Sequence, residues 1–461
     1  MADEPAPVGK SRRTIVASHT HADHSAVPPG RTVPWVALLW DQSLVWGLLV
    51  LDALEALGVS YRPLRAADIR EGALAGYGVF IVPGGWAVHK ARALGSEGLE
   101  KIRHFVVHGG AYVGFCGGAG LALDGSGSLN LVPIGRKALS RRLPNASGEV
   151  WIDGDLEHPF WKDLPARIPV SVWWPSQFAS DDGAGVDCVA RYVGPGEDFW
   201  VADLCAADVA ASGGSWKDWE RAYGINLDPA LLRGQPAILS CRVGDGCAVL
   251  SYPHLETPDG WGRRLLSNIL QVLQRERPGA NPHDPVPESP SLTAYRALEA
   301  AFEEVRSLVA FGERHLLWRW RRPWVLQWQR GVRGLEYGTL CVCLRFVLSQ
   351  CRGEKLSSHG SPSWEEPAEA LLDSVRLFCR QARRLLLEEK AASHNGPVGK
   401  LQPVNPTVDA LRQALFGRGM SHAGLCQELF DSLDTLLYLA VERRRHRGQP
   451  ARPFWTAEPG V

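Results

Sequence analysis

Cys116 stands in the run Ala111-Tyr112-Val113-Gly114-Phe115-Cys116-Gly117-Gly118-Ala119-Gly120, where an apolar, β-branched stretch gives way to glycines and then to small helix-compatible residues. The pattern reads as strand, sharp turn, helix: a nucleophile elbow written with cysteine, in which the surrounding glycines remove Cβ atoms that would clash at the bend. A helix starting behind the bend aims unpaired N–H groups and its positive dipole end at the sulfur, which favours thiolate. A buried structural cysteine in a glycine-rich turn is the competing reading, and two other stretches weigh against it. Val79-Phe80-Ile81-Val82-Pro83-Gly84-Gly85-Trp86 is a buried strand running into a Gly-Gly turn that can present N–H groups to an oxyanion. Cys247-Ala248-Val249-Leu250-Ser251-Tyr252-Pro253-His254-Leu255-Glu256 is another buried strand, and it ends in a base and a carboxylate two residues apart. The chemistry that suits these types is acyl transfer. Cys116 is the nucleophile, His254 the base, Glu256 the group that orients it, and Gly84, Gly85 and Gly117 supply oxyanion donors. Trp86, Asp41 and Tyr252 are candidates for substrate contact, and for Asp41 an N-capping role is the stronger reading.

Such a site needs strands that end at one edge. Residues 33–40 read as the first buried strand, Asp41-Gln42-Ser43 closes it, and 44–57 follow as an amphipathic helix stopped by Gly58. A helix over 99–108 precedes the elbow strand. Strand alternating with helix predicts a doubly wound parallel sheet, with ligands at the carboxyl ends of its strands, where Asp41, Gly84-Gly85, Cys116 and His254 all fall. Residues 148–203 read as β-rich, with strands expected near 151–154, 170–178 and 186–193. An insertion over about 205–235, with a short helix near 216–223, is expected to lie over the site as a lid. A helix over 261–274 closes the sheet.

At these residues the chain resembles the class I glutamine amidotransferase-like superfamily, in which a Pro-Gly-Gly turn, a cysteine elbow and a His-x-Glu occur in this order on a flavodoxin-like sheet. The match is closest to the branch known as the biotin-protein ligase N-terminal domain, whose elbow likewise reads Gly-Phe-Cys-x-Gly and which carries an aromatic segment like Val172-Trp173-Trp174-Pro175-Ser176-Gln177-Phe178. The resemblance covers roughly residues 32–275. It implies the flavodoxin-like fold and the roles of Cys116, His254 and Glu256 above. The glutamine-site pattern of true amidotransferases is replaced, since Ala119, Gly120 and Leu121 follow the elbow. The Gly-rich biotin-binding motif of the ligase is not found after residue 275, which excludes biotin ligation.

The 461 residues are too many for one ordinary domain. Fifty basic residues balance fifty acidic ones, which argues against a nucleic-acid partner. No apolar run reaches membrane-spanning length and no leader precedes the first domain, so neither membrane nor secretion is expected. Ten cysteines without a repeated spacing read as reduced thiols of a cytoplasmic protein. Residues 1–31 read as a disordered tail. Within it His19-Thr20-His21-Ala22-Asp23-His24 matches the spacing of the zinc-binding motif of the metallo-β-lactamase fold, but no strands surround it, so no metal and no cofactor are expected.

Residues 276–291 are dense in Pro, Asn, Asp and Ser and read as a linker. Beyond it an all-α domain is expected over 292–450, with helices near 298–320, 334–351, 367–390 and 425–445. The run Trp318-Arg319-Trp320-Arg321-Arg322-Pro323-Trp324 reads as arginines stacked on tryptophans at a domain interface. Arg443-Arg444-Arg445-His446-Arg447 reads as a solvated helix end that complements the dipole. The expected function is that of a cysteine-nucleophile amide hydrolase or transferase acting on a small molecule. The alternative is a catalytically silent binding module of the same fold, with the helical domain as its surface for a protein partner.

Overall fold

The structure, a computed structural model, describes residues 35–258, 260–274, 288–351, 361–394, 396, 398–447 and 455. The tail, with its His19–His24 motif, lies outside them. From the first strand the chain runs β1 (Val36–Leu39), α1 (Leu44–Ala56), β2 (Tyr61–Leu64), α2 (Ala66–Arg70), β3 (Val79–Val82), α3 (Ala87–Val107), β4 (Ala111–Phe115) and α4 (Gly117–Ala122). It continues through β5 (Ala146–Gly154), β6 (Arg167–Trp173), β7 (Val186–Val201), β8 (Leu204–Cys205), α5 (Ala206–Ala211), α6 (Trp216–Tyr223), β9 (Pro236–Val243), β10 (Gly246–Ser251) and α7 (Gly260–Leu273). The C-terminal part is α8 (Leu292–Arg314), β11 (Trp318–Arg322), β12 (Val325–Trp328), α9 (Leu335–Cys351), α10 (Pro362–Ser393), α11 (Pro406–Phe416) and α12 (Gly424–Arg447).

The strands β2-β1-β3-β4-β10 are parallel neighbours in that order, the arrangement of a flavodoxin-like doubly wound sheet. Every residue of β1, β3 and β4 is buried, which is why these strands read as unbroken apolar runs rather than alternations. The sheet does not stop there. β9, β7, β5 and β6 extend it antiparallel beyond β10, so the whole is a mixed sheet where a parallel one was expected. The β-rich region is thus a continuation of the central sheet.

Helices cover both faces. The face carrying Ala37, Phe80 and Tyr112 packs on α3 and α4. The other face shares one apolar core with α1, α7 and the C-terminal helices. The C-terminal part is helical as expected, except for the β11–β12 hairpin and the additional helix α11. The hairpin strand Trp-Arg-Trp-Arg-Arg alternates apolar and basic residues, the period of a strand, and a helix was expected to run through its start. The expected linker falls mostly on residues 275–287, outside the described residues; on either side of it the chain contributes to the same core.

That shared core accounts for α1. Its residues 44–54 are buried without a gap, so it is enclosed on all sides and not amphipathic, because α9 packs on the face that would otherwise meet water. An ion pair and a hydrogen bond fasten the arrangement. Arg444 of α12 meets Glu55 of α1 at 2.7 Å and Arg443 donates to the Glu288 carbonyl at 2.9 Å, so the arginine-rich end of α12 is docked rather than solvated.

Asp434 of α12 reaches the loop between β1 and α1, where it accepts from the Gln42 N–H at 3.4 Å and faces Arg65 at 3.8 Å. Burial pushes its carboxyl up to about 7 from an ordinary 3.8, against the pull of Arg65 and Lys90. An acid whose folded value is raised stabilises the fold fully below its unfolded value and loses that contribution as pH rises through the folded one. The contribution of Asp434 is therefore present near pH 3.8 and gone above about pH 7. Lys90, pushed down to about 7 by burial, changes its contribution above that window, between 7 and 10.5. Asp434→Asn cannot titrate, so its melting temperature should rise relative to wild type as pH climbs from about 4 to 7. A difference independent of pH would contradict this account.

Candidate active site

β4 and β10 run side by side with Phe115 opposite Ser251, so the residues that leave both strands do so at the same sheet end. The Cys116 N–H donates to the Ser251 carbonyl at 2.7 Å and ties the elbow to β10. Cys116 has φ 47° and ψ −101°, a conformation costly for a residue with a Cβ. The chain around it leaves no space: a Cβ on Gly117 would overlap the Gly85 carbonyl oxygen, and one on Gly118 the Val82 carbonyl oxygen. Both obstacles are backbone, which cannot rotate away. Gly117→Ala should therefore separate the elbow from the Gly84-Gly85 turn and cost about 1–3 kcal/mol, read as a lowered melting temperature. An unchanged melting temperature would mean the two turns are not in contact.

His254 follows β10. Its N–H donates to the Ser171 carbonyl at 2.8 Å, which fixes the loop against the end of β6. Its Nδ1 lies 2.7 Å from Glu256 Oε1, and both side chains are fully buried. Trp46 of α1 stacks on the ring with centroids 4.5 Å apart, and a Cβ on Gly84 would come within 2.7 Å of its Cε1. With Nδ1 held by Glu256, Nε2 has no well-formed hydrogen bond, and the Cys116 thiol lies close enough to influence the ring. Burial by itself pushes the imidazole down; the Glu256 carboxylate and Cys116 reverse this and hold it at about 10.

Cys116 is partly exposed as a residue, while His254 and Glu256 are closed off. Sγ lies 3.8 Å from the Trp173 carbonyl oxygen at the end of β6. The Gly85 peptide lies against Gly117, and neither N–H donates a hydrogen bond among the described residues.

The three residues expected to touch substrate have different fates. Tyr252 is buried against Phe178, with ring centroids 4.4 Å apart; its hydroxyl is near Ser176 without a well-formed hydrogen bond and lies within electrostatic reach of Cys116. Trp86 occupies the N-cap position of α3, partly buried. Asp41 is engaged at α2: it accepts from the Ala66 N–H at 2.7 Å and meets Arg65 at 3.3 Å, so it caps the second helix and not the first. The insertion at 205–235 packs on β7, and its Asn226 and Leu231 touch Arg142 and Gln177.

Sequence reasoning missed Trp46, which covers His254, and Tyr192, whose buried hydroxyl is unpartnered and sits near Cys116 and Tyr252. Tyr192 comes from the antiparallel extension, and no spacing marked it. Among the described residues no group of three His, Cys, Asp or Glu side chains is placed to hold a metal.

The family model described as biotin-protein ligase, N terminal, matches residues 74–124, from just before β3 through the elbow and α4. No curated protein matches the chain. Solved structures similar to it include a ThuA-like protein from Bacteroides uniformis, at 13% identity over 54% of this chain and 95% of that one, with a TM-score of 0.35. A GMP synthase component from Thermoplasma acidophilum matches at 14% identity over 53% of this chain and 96% of that one, TM-score 0.35. A glutamine amidotransferase from Thermotoga maritima matches at 12% identity over 53% of this chain and 83% of that one, TM-score 0.30. The elbow segment thus resembles the biotin-protein ligase N-terminal family.

Proposed function

We propose that the chain is a cysteine-dependent amide hydrolase or transferase that acts on a small carboxamide or related acyl compound. The observation that carries this reading is the pairing of a fully buried His254–Glu256 couple, with Nε2 left open, and a strained, partly exposed Cys116 beside it. In the proposed cycle Cys116 Sγ, having passed its proton to His254 Nε2, adds to the acyl carbon. The oxygen takes up the negative charge against the N–H groups of Gly85 and Gly117. The C–N bond then breaks as His254 returns the proton to the departing amine. Water, or an amine in a transferase, adds to the thioester with His254 accepting its proton, and Cys116 leaves. Glu256 keeps Nδ1 protonated and so keeps Nε2 directed at the sulfur.

No cofactor enters this cycle. All ten cysteines are free, which supports a reducing compartment and hence a cytoplasmic setting. No described helix is long and apolar enough to cross a membrane. The test is ammonia release from a panel of primary carboxamides by the full chain, with Cys116→Ser as control. Turnover that survives in the control, or a panel that neither turns over nor acylates Cys116, would overturn the proposal in favour of a binding module.

A further inference from the structure

Gln42 and Leu44, in the loop between β1 and α1, have φ of 59° and 46°, left-handed values that are costly for residues with a Cβ. Such strain persists only where the surroundings impose it. Here three side chains from distant elements grip Gln42. Asp431 of α12 accepts from Gln42 Nε2 at 2.7 Å and Asp434 of α12 from the Gln42 N–H at 3.4 Å, while Lys90 of α3 donates to the Gln42 carbonyl at 3.1 Å. Lys90 also donates to Ser43 Oγ at 2.6 Å, and Ser43 in turn donates to the Leu39 carbonyl at 2.8 Å, which ties the loop to the end of β1. Lys90 is fully buried, an expensive place for an ammonium, and its printed bonds all go to this loop.

The strained loop meets the candidate site at two points. The Gly85 peptide is layered between loop and elbow: a Cβ on Gly85 would come within 3.1 Å of the Gln42 carbonyl oxygen, and one on Gly117 would overlap the Gly85 carbonyl oxygen. Trp46, two residues after the strained segment, would lie 3.4 Å from the same Gly85 Cβ and stacks on His254. Each contact is direct, so a shift of Gln42 reaches the Gly84-Gly85 turn without any intermediate element.

We propose that Lys90, with Asp431 and Asp434 of α12, holds Gln42 as a backstop behind the Gly85 turn, and that these are positioning residues for the donors that would face an acyl oxygen. The C-terminal helices thereby take part in shaping the site. This rests on Cys116 attacking acyl carbons as proposed above.

The test compares two reactions of Cys116 in the full chain, read as initial rates by peptide mass spectrometry. With p-nitrophenyl acetate, Sγ adds to the acetyl carbon through an oxyanion and p-nitrophenolate leaves with its electron pair. With iodoacetamide, Sγ displaces iodide and no oxyanion forms. The acylation-to-alkylation ratio therefore reports the donors and cancels the reactivity of the sulfur itself. In the wild type this ratio should exceed that of glutathione by about tenfold or more. Lys90→Met, which keeps the length of the side chain and removes a buried charge, should lower the ratio about tenfold with alkylation unchanged and a melting temperature close to that of the wild type. Asp431→Ala, at an exposed position, should lower it about threefold, and it carries the test if Lys90→Met fails to fold. A raised wild-type ratio that both variants leave unchanged overturns the positioning role, as does a parallel fall of both rates. A wild-type ratio no higher than that of glutathione instead removes the acyl-transfer reading and this inference with it, so the two failures are distinguishable.

Discussion

Cys116→Ser is expected to abolish turnover, by about a thousandfold or more, while the melting temperature stays close to that of the wild type. The hydroxyl replaces the thiol at nearly the same volume, and the φ of 47° is imposed by the backbone contacts of Gly117 and Gly118, which the substitution leaves in place. Cys116 is partly exposed as a residue, so a serine there is not placed in a closed core and should escape most of the burial penalty expected at such a site. The result separates the readings of this cysteine. A packed structural thiol would lose about 1–3 kcal/mol on the same change, with no activity to lose. His254→Ala is a blunter instrument, because it leaves the Glu256 carboxylate fully buried without its partner, at a cost of about 3–5 kcal/mol. Activity loss in that variant therefore has to be read beside its melting curve.

A large effect on stability is also expected at Arg321, far from the elbow in sequence. From the hairpin strand β11 it donates to Asp198 Oδ1 and Oδ2 at 2.9 and 3.1 Å, to Ser147 Oγ and its carbonyl at 3.0 and 3.1 Å, and to Gln327 Oε1 at 3.1 Å. Its guanidinium also lies over the rings of Trp173 and Trp200. The side chain is only 6% exposed, so truncation to alanine strands several buried acceptors at once. Arg322, 3.5 Å from Asp198, compensates in part, which sets the expected loss at about 3 kcal/mol, measured by thermal or denaturant unfolding. Arg321→Lys keeps the charge but not the fork and should recover only part of it. A loss below about 1 kcal/mol would mean that the hairpin is not a structural clamp on the sheet. Because the Trp173 carbonyl faces Cys116 and Trp174 stacks on Trp328 of the hairpin, at 4.6 Å between centroids, the clamp also supports one wall of the site.

Much was legible along the chain because the relevant physics is local. The unbroken apolar runs of β1, β3, β4 and β10, with glycines after β3 and β4, state both the parallel half of the sheet and the turns where Gly84, Gly85 and Cys116 sit. The His-x-Glu spacing puts an imidazole and a carboxylate at the same strand end, and the structure brings Nδ1 and Oε1 to 2.7 Å. The mixed arginines and tryptophans of 318–324 read as an interface, and Arg321 stacks on Trp173 and Trp200 there. Other features depended on which distant surfaces meet. Asp41 could have capped either neighbouring helix, and only the parallel pairing of β1 with β2 brings α2 to it. Nothing in residues 44–57 says whether a helix so apolar is half-buried or enclosed; α9 decides that by covering it. The arginines at the end of α12 look solvated until Glu55 is placed opposite. Trp46 reaches His254 from α1 and Tyr192 comes near Cys116 from β7, and no spacing in sequence records contacts made by long-range packing.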